Sequence, residues 1–545
     1  MPSERAEPPR SQKPVMHLAG RYGIWTSLLL ACVLGTVYIL ALDWTVQGYD
    51  DAGYILIARS LASGSGYRIA PGEAPWAVTT PLLPFLLTPI WFLHPQLPHD
   101  VVWFKIVPLV CALLSVPVLV LYFVRARQAP WAAALGIVTL AFLSPPTFTY
   151  AARMVMTELP YLLFSAIALL LAHRALLKGA RSLWMWAALG LALAAACLTR
   201  TVGMALVAGV LVYLLWHRRW RACLGLALLV TALLLPWQLY AHSQGDLMMA
   251  PGQYQSDFLL REYGNPGLGQ IGSYWEVVPR VLRNVTGHVD ESIPGLFLPG
   301  LTGDRVLFLL RRVGLGWFRP AFGVGAVLGM ALGWAVSWRR SATPLEWYVL
   351  LYMGMILLPP WRHARNLVPV LPFLLYYLWM GLQAGHRWLI GQLPSLSRWT
   401  RAAGVALFAV MLVSVAASDR HQIQQGINNR AGQFPVWEQS YYEAGDWLRE
   451  NVPASASIAA PIPRKMMLYI DQPVQYLPLV GDGEAEDEDI LADFLVVQPK
   501  RPTVEYEWPE DQIAIGFVRD HPERCQPKFA SQQFPYTEIF ACSLP

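Results

Sequence analysis

Apolar stretches long enough to cross a lipid bilayer recur along this chain, separated by short joints rich in arginine. That alternation constrains the fold most, because backbone in hydrocarbon must satisfy its own hydrogen bonds, within helices or a closed barrel. A helix needs ~20 mainly apolar residues to cross. Spans fit at about 24–42, 101–124, 131–148, 159–176, 183–199, 202–216, 222–240, 318–337, 346–360, 367–385 and 402–417, eleven in all. Of the 545 residues, 14% are charged and 55% hydrophobic, with a mean hydropathy of +0.38. A soluble chain carries nearer ~25% charged residues. The composition excludes a soluble enzyme, a disordered chain and a fibre. The expected class is an α-helical polytopic membrane protein.

Charge is divided along the chain. Residues 421–545 hold 9 Lys+Arg and 19 Asp+Glu, a net of −10. The preceding 420 residues carry a net of +15. Lys and Arg of a membrane protein set topology and meet anionic lipid, so nucleic acid is not an expected partner. With the N-terminus in the cytoplasm, the inside joints hold Arg125 and Arg127; Arg174, Lys178 and Arg181; Arg218, Arg219 and Arg221; Arg339 and Arg340; Arg387 and Arg398. Each is basic, as short inside loops should be. The first span lacks a small-residue cleavage site after it and reads as uncleaved. An odd span count puts three segments on the outer face: loop 43–100, loop 241–317 and the tail 421–545. The expected division is thus a membrane part, 1–420, and an outer part, 421–545.

Loop 43–100 contains a helical stretch from Asp50 to Ala62, ended by Ser63-Gly64-Ser65-Gly66. Its segment 81–93 is apolar but short and Pro-rich, so it lies along the membrane or re-enters it. In the tail, Tyr441–Asn451 reads as an amphipathic helix, and 456–460 and 490–497 as strands of a small α/β domain. Cys525 and Cys542 are the tail's cysteines, and an outer location permits a disulfide. There is no internal repeat of the kind that builds many transporters.

Four short stretches have the right residues for chemistry. Asp50 and Asp51 follow the first span and point about 100° apart on a helix, so one can face a cavity while the other is held. Adjacent acids at a membrane surface are costly unless hydrated, paired or used. A partly desolvated carboxylate suits a general base, while acids at a helix N-terminus are equally a stabilising device. Glu158 begins an apolar helix after Arg153, as a second acid or as an N-terminal stabiliser. Arg362 and Arg365 interrupt the bias of outer joints, and guanidinium forks grip phosphate, though snorkelling to ordinary lipid explains them too. Arg200 lies in a tight outer turn, suited to the same phosphate or to a structural ion pair. His288 and Glu158 are candidate ligands for a divalent metal ion. Asn284-Val285-Thr286 fits a glycosylation sequon, and 482–489 reads as a solvated acidic loop. No P-loop, GxSxG or zinc-spacing motif occurs.

In order, YDDAGYILIARSLASGSGY, ARMVMTELPYLLF, LTRTVGM and WRHARNLVPVLPFLL resemble the motifs of C-type (GT-C) membrane glycosyltransferases. The resemblance is to the group of protein O-mannosyltransferases and lipid A aminoarabinose transferases, and it covers most of the chain. It implies transfer of a sugar from a polyprenyl-phosphate donor to a lipid, glycan or protein acceptor on the outer face, by a single inverting displacement. Asp50 matches the base, and Asp51 stands where relatives often have Glu. Glu158 matches the second acid. Arg365 matches the late arginine at the donor phosphate, with Arg362, Arg200 and Arg153 as further phosphate-binding candidates. A bacterial inner membrane is the expected home. An oligosaccharide ligase or polymerase, and a lipid-linked-sugar flippase, are the alternatives. The acidic motif after the first span speaks against the former, and the placement of charge at outer helix ends against the latter.

Overall fold

The computed structural model describes residues 13–46, 49–70, 73, 75–76, 79–177, 182–244, 275, 277–301, 304–359, 362–476, 492–498, 509–532 and 537–543. The expected acidic loop 482–489 and the first residues of the expected strand 490–497 lie outside them. Most of the described chain is helix. The first ten helices are α1 (Lys13–Ala41), α2 (Tyr49–Ala62), α3 (Leu82–Trp91), α4 (Val101–Arg125), α5 (Trp131–Leu143), α6 (Pro145–Ala152), α7 (Glu158–Ala172), α8 (Leu183–Thr199), α9 (Met204–Trp216) and α10 (Trp220–Ser243).

Seven described helices are long and apolar enough to cross a membrane, or eight if one bent pair counts as a single span. The sequence count is eleven. The difference arises because α8, the Thr201–Trp216 stretch and Pro344–Leu357 are apolar but shorter than a full crossing. The expected straight span 131–148 is the bent pair, α5 and α6 meeting at 67°. Ser144 is extended, with φ −56° and ψ 132°, because the proline that follows disfavours the helical region before it. Pro145 and Pro146 then start a new helix, where a missing N–H costs nothing. Pro344–Leu357 begins on a capping box, in which Glu346 Oε2 accepts from the Thr343 N–H at 2.7 Å.

One close crossing fixes the later part of the bundle. Phe318–Ser341 packs on Leu371–Gln392 where Gly329 and Gly333 meet Gly381. A Cβ on Gly333 would collide with the Tyr377 carbonyl, and one on Gly381 with the Gly329 carbonyl. This is the close approach that a small-xxx-small spacing allows between membrane helices.

Outside the bundle, α3 is a ten-residue apolar helix, too short to span. Its Leu83 and Leu87 are buried while Phe85 and Leu86 are exposed. The tail follows the long helix Ser397–Arg430, which runs through the sequence boundary at 420 without a break. Its amphipathic helix spans Val436–Asn451, starting earlier than expected, directly after Pro435. A five-stranded sheet of order β2-β1-β3-β5-β4 then forms from β1 (Ile458–Ala460), β2 (Gln475–Tyr476), β3 (Phe494–Val497), β4 (Cys525–Ala530) and β5 (Glu538–Cys542). β1 is parallel to β2 and β3, whereas β5 is antiparallel to β3 and β4. Cys525 lies opposite Cys542 in the β4–β5 register, and the two form a disulfide.

The tail sits directly on the loop that follows α1. Ala52, Ile55 and Leu56 of α2 share a buried core with Tyr441, Met466 and Tyr469. Arg464 places its guanidinium over the Trp76 ring at 4.5 Å. Lys465, almost fully buried, pairs with the buried Glu438 at 2.5 Å. The loop that follows α1 is therefore held between the tail and the bundle.

Candidate active site

The site is built from the exits of four apolar segments. The chain leaves α1 at Ala41 and turns over Asp43, which is fully buried. Asp43 Oδ1 accepts from the Thr45 N–H and the Asn429 side chain, at 2.9 and 2.8 Å. Its Oδ2 accepts both Nε and Nη2 of Arg153, at 3.1 and 2.8 Å. Lys105 Nζ donates to the carbonyls of Asp43 and Thr45, at 2.7 and 2.5 Å. Burial alone would raise the Asp43 pKa, but Lys105, Arg153 and Asn429 hold it below its ordinary value. This cluster fixes the short link that delivers α2.

Asp50 and Asp51 occupy the first turn of α2 and diverge as their helical spacing requires. The Asp50 side chain is 46% exposed, while Asp51 is 1% exposed. Asp50 Oδ2 meets Arg365 Nη1 at 2.9 Å. Oδ1 of Asp50 has no hydrogen bond among the described residues. Arg365 opens the 3-10 turn Ala364–Val370 that leads into Leu371–Gln392, and its buried Nε also lacks a described partner.

Glu158, the first residue of α7, is fully buried and paired with Arg200. Arg200 sits in extended backbone between α8 and the turn Thr201–Gly203. It also donates to Thr157 Oγ1 and Asn366 Oδ1, both at 3.2 Å. Asn366 is the neighbour of Arg365, and its carbonyl accepts from the Tyr352 hydroxyl at 2.7 Å. The two acid–arginine pairs are thus joined through consecutive residues of one turn. Tyr54, one helical turn beyond Asp50, is partly buried; desolvation first, and then the negative charges of Asp50 and Glu158, raise its pKa. The Arg365 side sits at a cavity of about 520 Å³, walled by Pro145, Pro146, Tyr150, Arg362 and His363. Burial first, and then the Arg365 charge, push the His363 pKa below its ordinary value, so its imidazole is neutral at pH 7.

Of the residues singled out in the sequence, Asp50, Glu158, Arg200 and Arg365 come together. Asp51 faces inward from the same turn. Arg362 lines the cavity but is paired with Glu291. Arg153 is directed away from a phosphate role by geometry: three of its nitrogens donate to Asp43 and to Gln425 Oε1. The two metal candidates have separate partners, Glu158 with Arg200 and His288 Nδ1 with Ser292 Oγ at 3.0 Å. Among the described residues, no three His, Cys, Asp or Glu side chains group as metal ligands. Asn366, Tyr54 and His363 lie inside the quoted motifs but carry no charge at pH 7, so charge alone did not single them out.

His288 supplies a pH prediction. Burial and the Arg362 charge push its pKa down to about 4. Below pH 6.5 an unfolded chain binds a proton that the folded one refuses until about pH 4. Its contribution to stability is therefore complete above pH 6.5 and lost as pH falls toward 4. Thermal unfolding at pH 7 and pH 4.5 should show a smaller acid-induced drop for His288→Gln than for wild type. Equal drops would remove His288 as a source of the acid sensitivity.

Residues 90–244 match the sequence model of the dolichyl-phosphate-mannose-protein mannosyltransferase family. No curated protein sequence matches the chain significantly. In fold, the chain is similar to ArnT from Cupriavidus metallidurans bound to undecaprenyl phosphate, with a TM-score of 0.55 and 16% identity over 95% of this chain and 98% of that one. The apo state of the same protein gives 0.56 at 15% identity, covering 95% and 97%. The archaeal oligosaccharyltransferase AglB from Archaeoglobus fulgidus, in complex with an inhibitory peptide and a dolichol-phosphate, gives 0.56 at 11% identity. That match covers 96% of this chain and 75% of AglB. The chain has the GT-C fold of these membrane proteins, with a small C-terminal sheet region.

Proposed function

We propose that this chain is an integral membrane glycosyltransferase that moves a sugar from a polyprenyl-phosphate donor to an acceptor at the outer face of the membrane. The observation that carries this reading is the meeting of Asp50, from just after the first span, with Arg365, from just before a late one. A carboxylate oxygen with no hydrogen bond among the described residues, next to a guanidinium that lines an open cavity, is what displacement at a phosphate-linked sugar requires. The family match and the similar folds, whose solved members hold undecaprenyl phosphate and dolichol-phosphate, support the same class.

In the proposed reaction the acceptor oxygen attacks the anomeric carbon while its proton passes to Asp50. The bond between that carbon and the phosphate oxygen breaks, leaving polyprenyl phosphate and a sugar of inverted configuration. Negative charge grows on the departing phosphate, where a fixed cation stabilises the transition state more than the ground state. Arg365 supplies that cation through Nε and Nη. Arg200, paired with Glu158, positions it by holding Asn366. Arg362 stands at the cavity wall, where it reaches the phosphate if it exchanges Glu291 for it. The donor's reactive end cannot leave headgroup depth, so a cavity at helix ends is the appropriate place for the chemistry. In this reading residues 1–420 carry the reaction and 421–545 cover the acceptor side.

Purified protein in lipid nanodiscs, given a panel of radiolabelled polyprenyl-phosphate hexoses and pentoses with membrane-extract acceptors, should release label from one donor into an acceptor. The anomeric configuration of the product should be inverted. Movement of intact donor across a proteoliposome bilayer without transfer would replace the transferase with a flippase. Retention of configuration would remove the single displacement.

A further inference from the structure

A second polar cavity, about 450 Å³ in volume, lies at the end of the bundle remote from Asp50. Arg127, just past α4, the end of Phe318–Ser341, and Tyr376, Trp379 and Gln383 of Leu371–Gln392 form its walls. Gln383 is eighteen residues beyond Arg365, which at ~1.5 Å per residue puts it roughly 25 Å further along the helix. The cavity therefore belongs to the opposite membrane surface from the candidate active site.

Arg127 is the fixed element of this cavity. It is almost fully buried, and its Nη1 donates to Thr343 Oγ1 at 2.7 Å. Its Nη2 bonds Ser337 and pairs with Glu346 at 2.6 Å. The guanidinium lies 5.3 Å from the centre of the Tyr376 ring. Its Nε is buried and has no hydrogen-bond partner among the described residues. Arg340 stands at the exposed rim with no ion-pair or hydrogen-bond partner among the described residues. Glu346 balances Arg127, so Arg340 leaves the cavity net positive. Trp379, Tyr376 and Met380 give an apolar wall beside these donors, and Trp and Tyr are the residues that favour headgroup depth.

We propose that this cavity binds the phosphate headgroup of an anionic lipid in the leaflet remote from the active site. The phosphate pairs with Arg340 at the rim, beside the Arg127 guanidinium, while the first carbons of the lipid lie against Trp379 and Met380. At 450 Å³ the cavity is within the usual range for small ligands, about 300–1,000 Å³. The inference is independent of the transfer reaction, since none of these residues belongs to the Asp50–Arg365 site.

Native mass spectrometry of the full chain in detergent, titrated with dioctanoyl phosphatidylglycerol, dioctanoylglycerol or inorganic phosphate, tests it. Wild type should retain phosphatidylglycerol saturably and reject dioctanoylglycerol. Arg340→Gln should weaken retention by about ten-fold, the loss of one charge-assisted contact. Gln383→Trp should fill the cavity and abolish saturable retention, with the thermal midpoint of each variant checking that it folds. Equal retention of dioctanoylglycerol would overturn the proposal, as would undiminished binding in both variants. Displacement of the lipid by inorganic phosphate at equal concentration would assign the cavity to free phosphate instead.

Discussion

Replacing Asp50 by asparagine is expected to lower sugar transfer by about 10²–10⁴-fold, the usual contribution of a positioned general base, while the protein stays folded. Asparagine keeps the shape and an oxygen for Arg365 but cannot accept the acceptor's proton. The exposure of Asp50 makes the variant tolerable, since 46% of the side chain already meets solvent and no buried charge is stranded. Because Asp50 also pairs with Arg365, the replacement turns the ion pair into a neutral hydrogen bond and leaves the guanidinium charge unbalanced beside the donor phosphate. Arg365→Gln should therefore lower transfer as well, and Asp50→Asn with Arg365→Gln should lose less than the product of the two single losses. Turnover of the labelled donor in nanodiscs measures all three. Wild-type turnover by Asp50→Asn would reassign the base, with Glu158 as the next carboxylate to test.

The charged residues of this candidate site are legible in the sequence, but their wiring is not. Asp50, Glu158, Arg200 and Arg365 stood out because charged residues at the ends of apolar helices need a reason. Which acid meets which arginine is a tertiary fact, settled by segments 42 residues apart for Glu158 and Arg200 and 315 apart for Asp50 and Arg365, and no local pattern encodes it. The same limit applies to Asp43, which looks like the ordinary polar edge of a span until Arg153, Lys105 and Asn429 arrive around it. Some misreadings did have a local signal. Ser144-Pro145-Pro146 marks the break between α5 and α6, because proline constrains the residue before it, but a hydropathy window averages over that effect. Gly329-Met-Ala-Leu-Gly333 carries the spacing of the close helix crossing, yet only the opposing Gly381 shows that it is used. In the tail, the short apolar run at 456–460 is legible as a strand, whereas the parallel β1–β3 pairing depends on residues that come much later in the chain.

Arg153→Met should produce the largest loss of stability among the residues singled out in the sequence, about 3–5 kcal/mol, as expected when one partner of a buried ion pair is removed. Asp43 would keep Thr45 and Asn429 as donors but lose both guanidinium contacts while remaining sealed from water. Lys105 offsets only part of this loss, because its ammonium bonds the carbonyls of Asp43 and Thr45 and not the carboxylate. The penalty should fall on the link between α1 and α2, so transfer declines through loss of folded enzyme. Two readouts separate this from a phosphate-binding role. The unfolding midpoint of Arg153→Met should drop, and the double variant Asp43→Asn with Arg153→Met should recover part of the loss, since the stranded charge is gone. At a temperature where Arg153→Met is fully folded, its KM for the lipid-linked donor should match wild type. A raised donor KM with an unchanged midpoint would return Arg153 to the phosphate site and require its side chain to leave Asp43 during turnover.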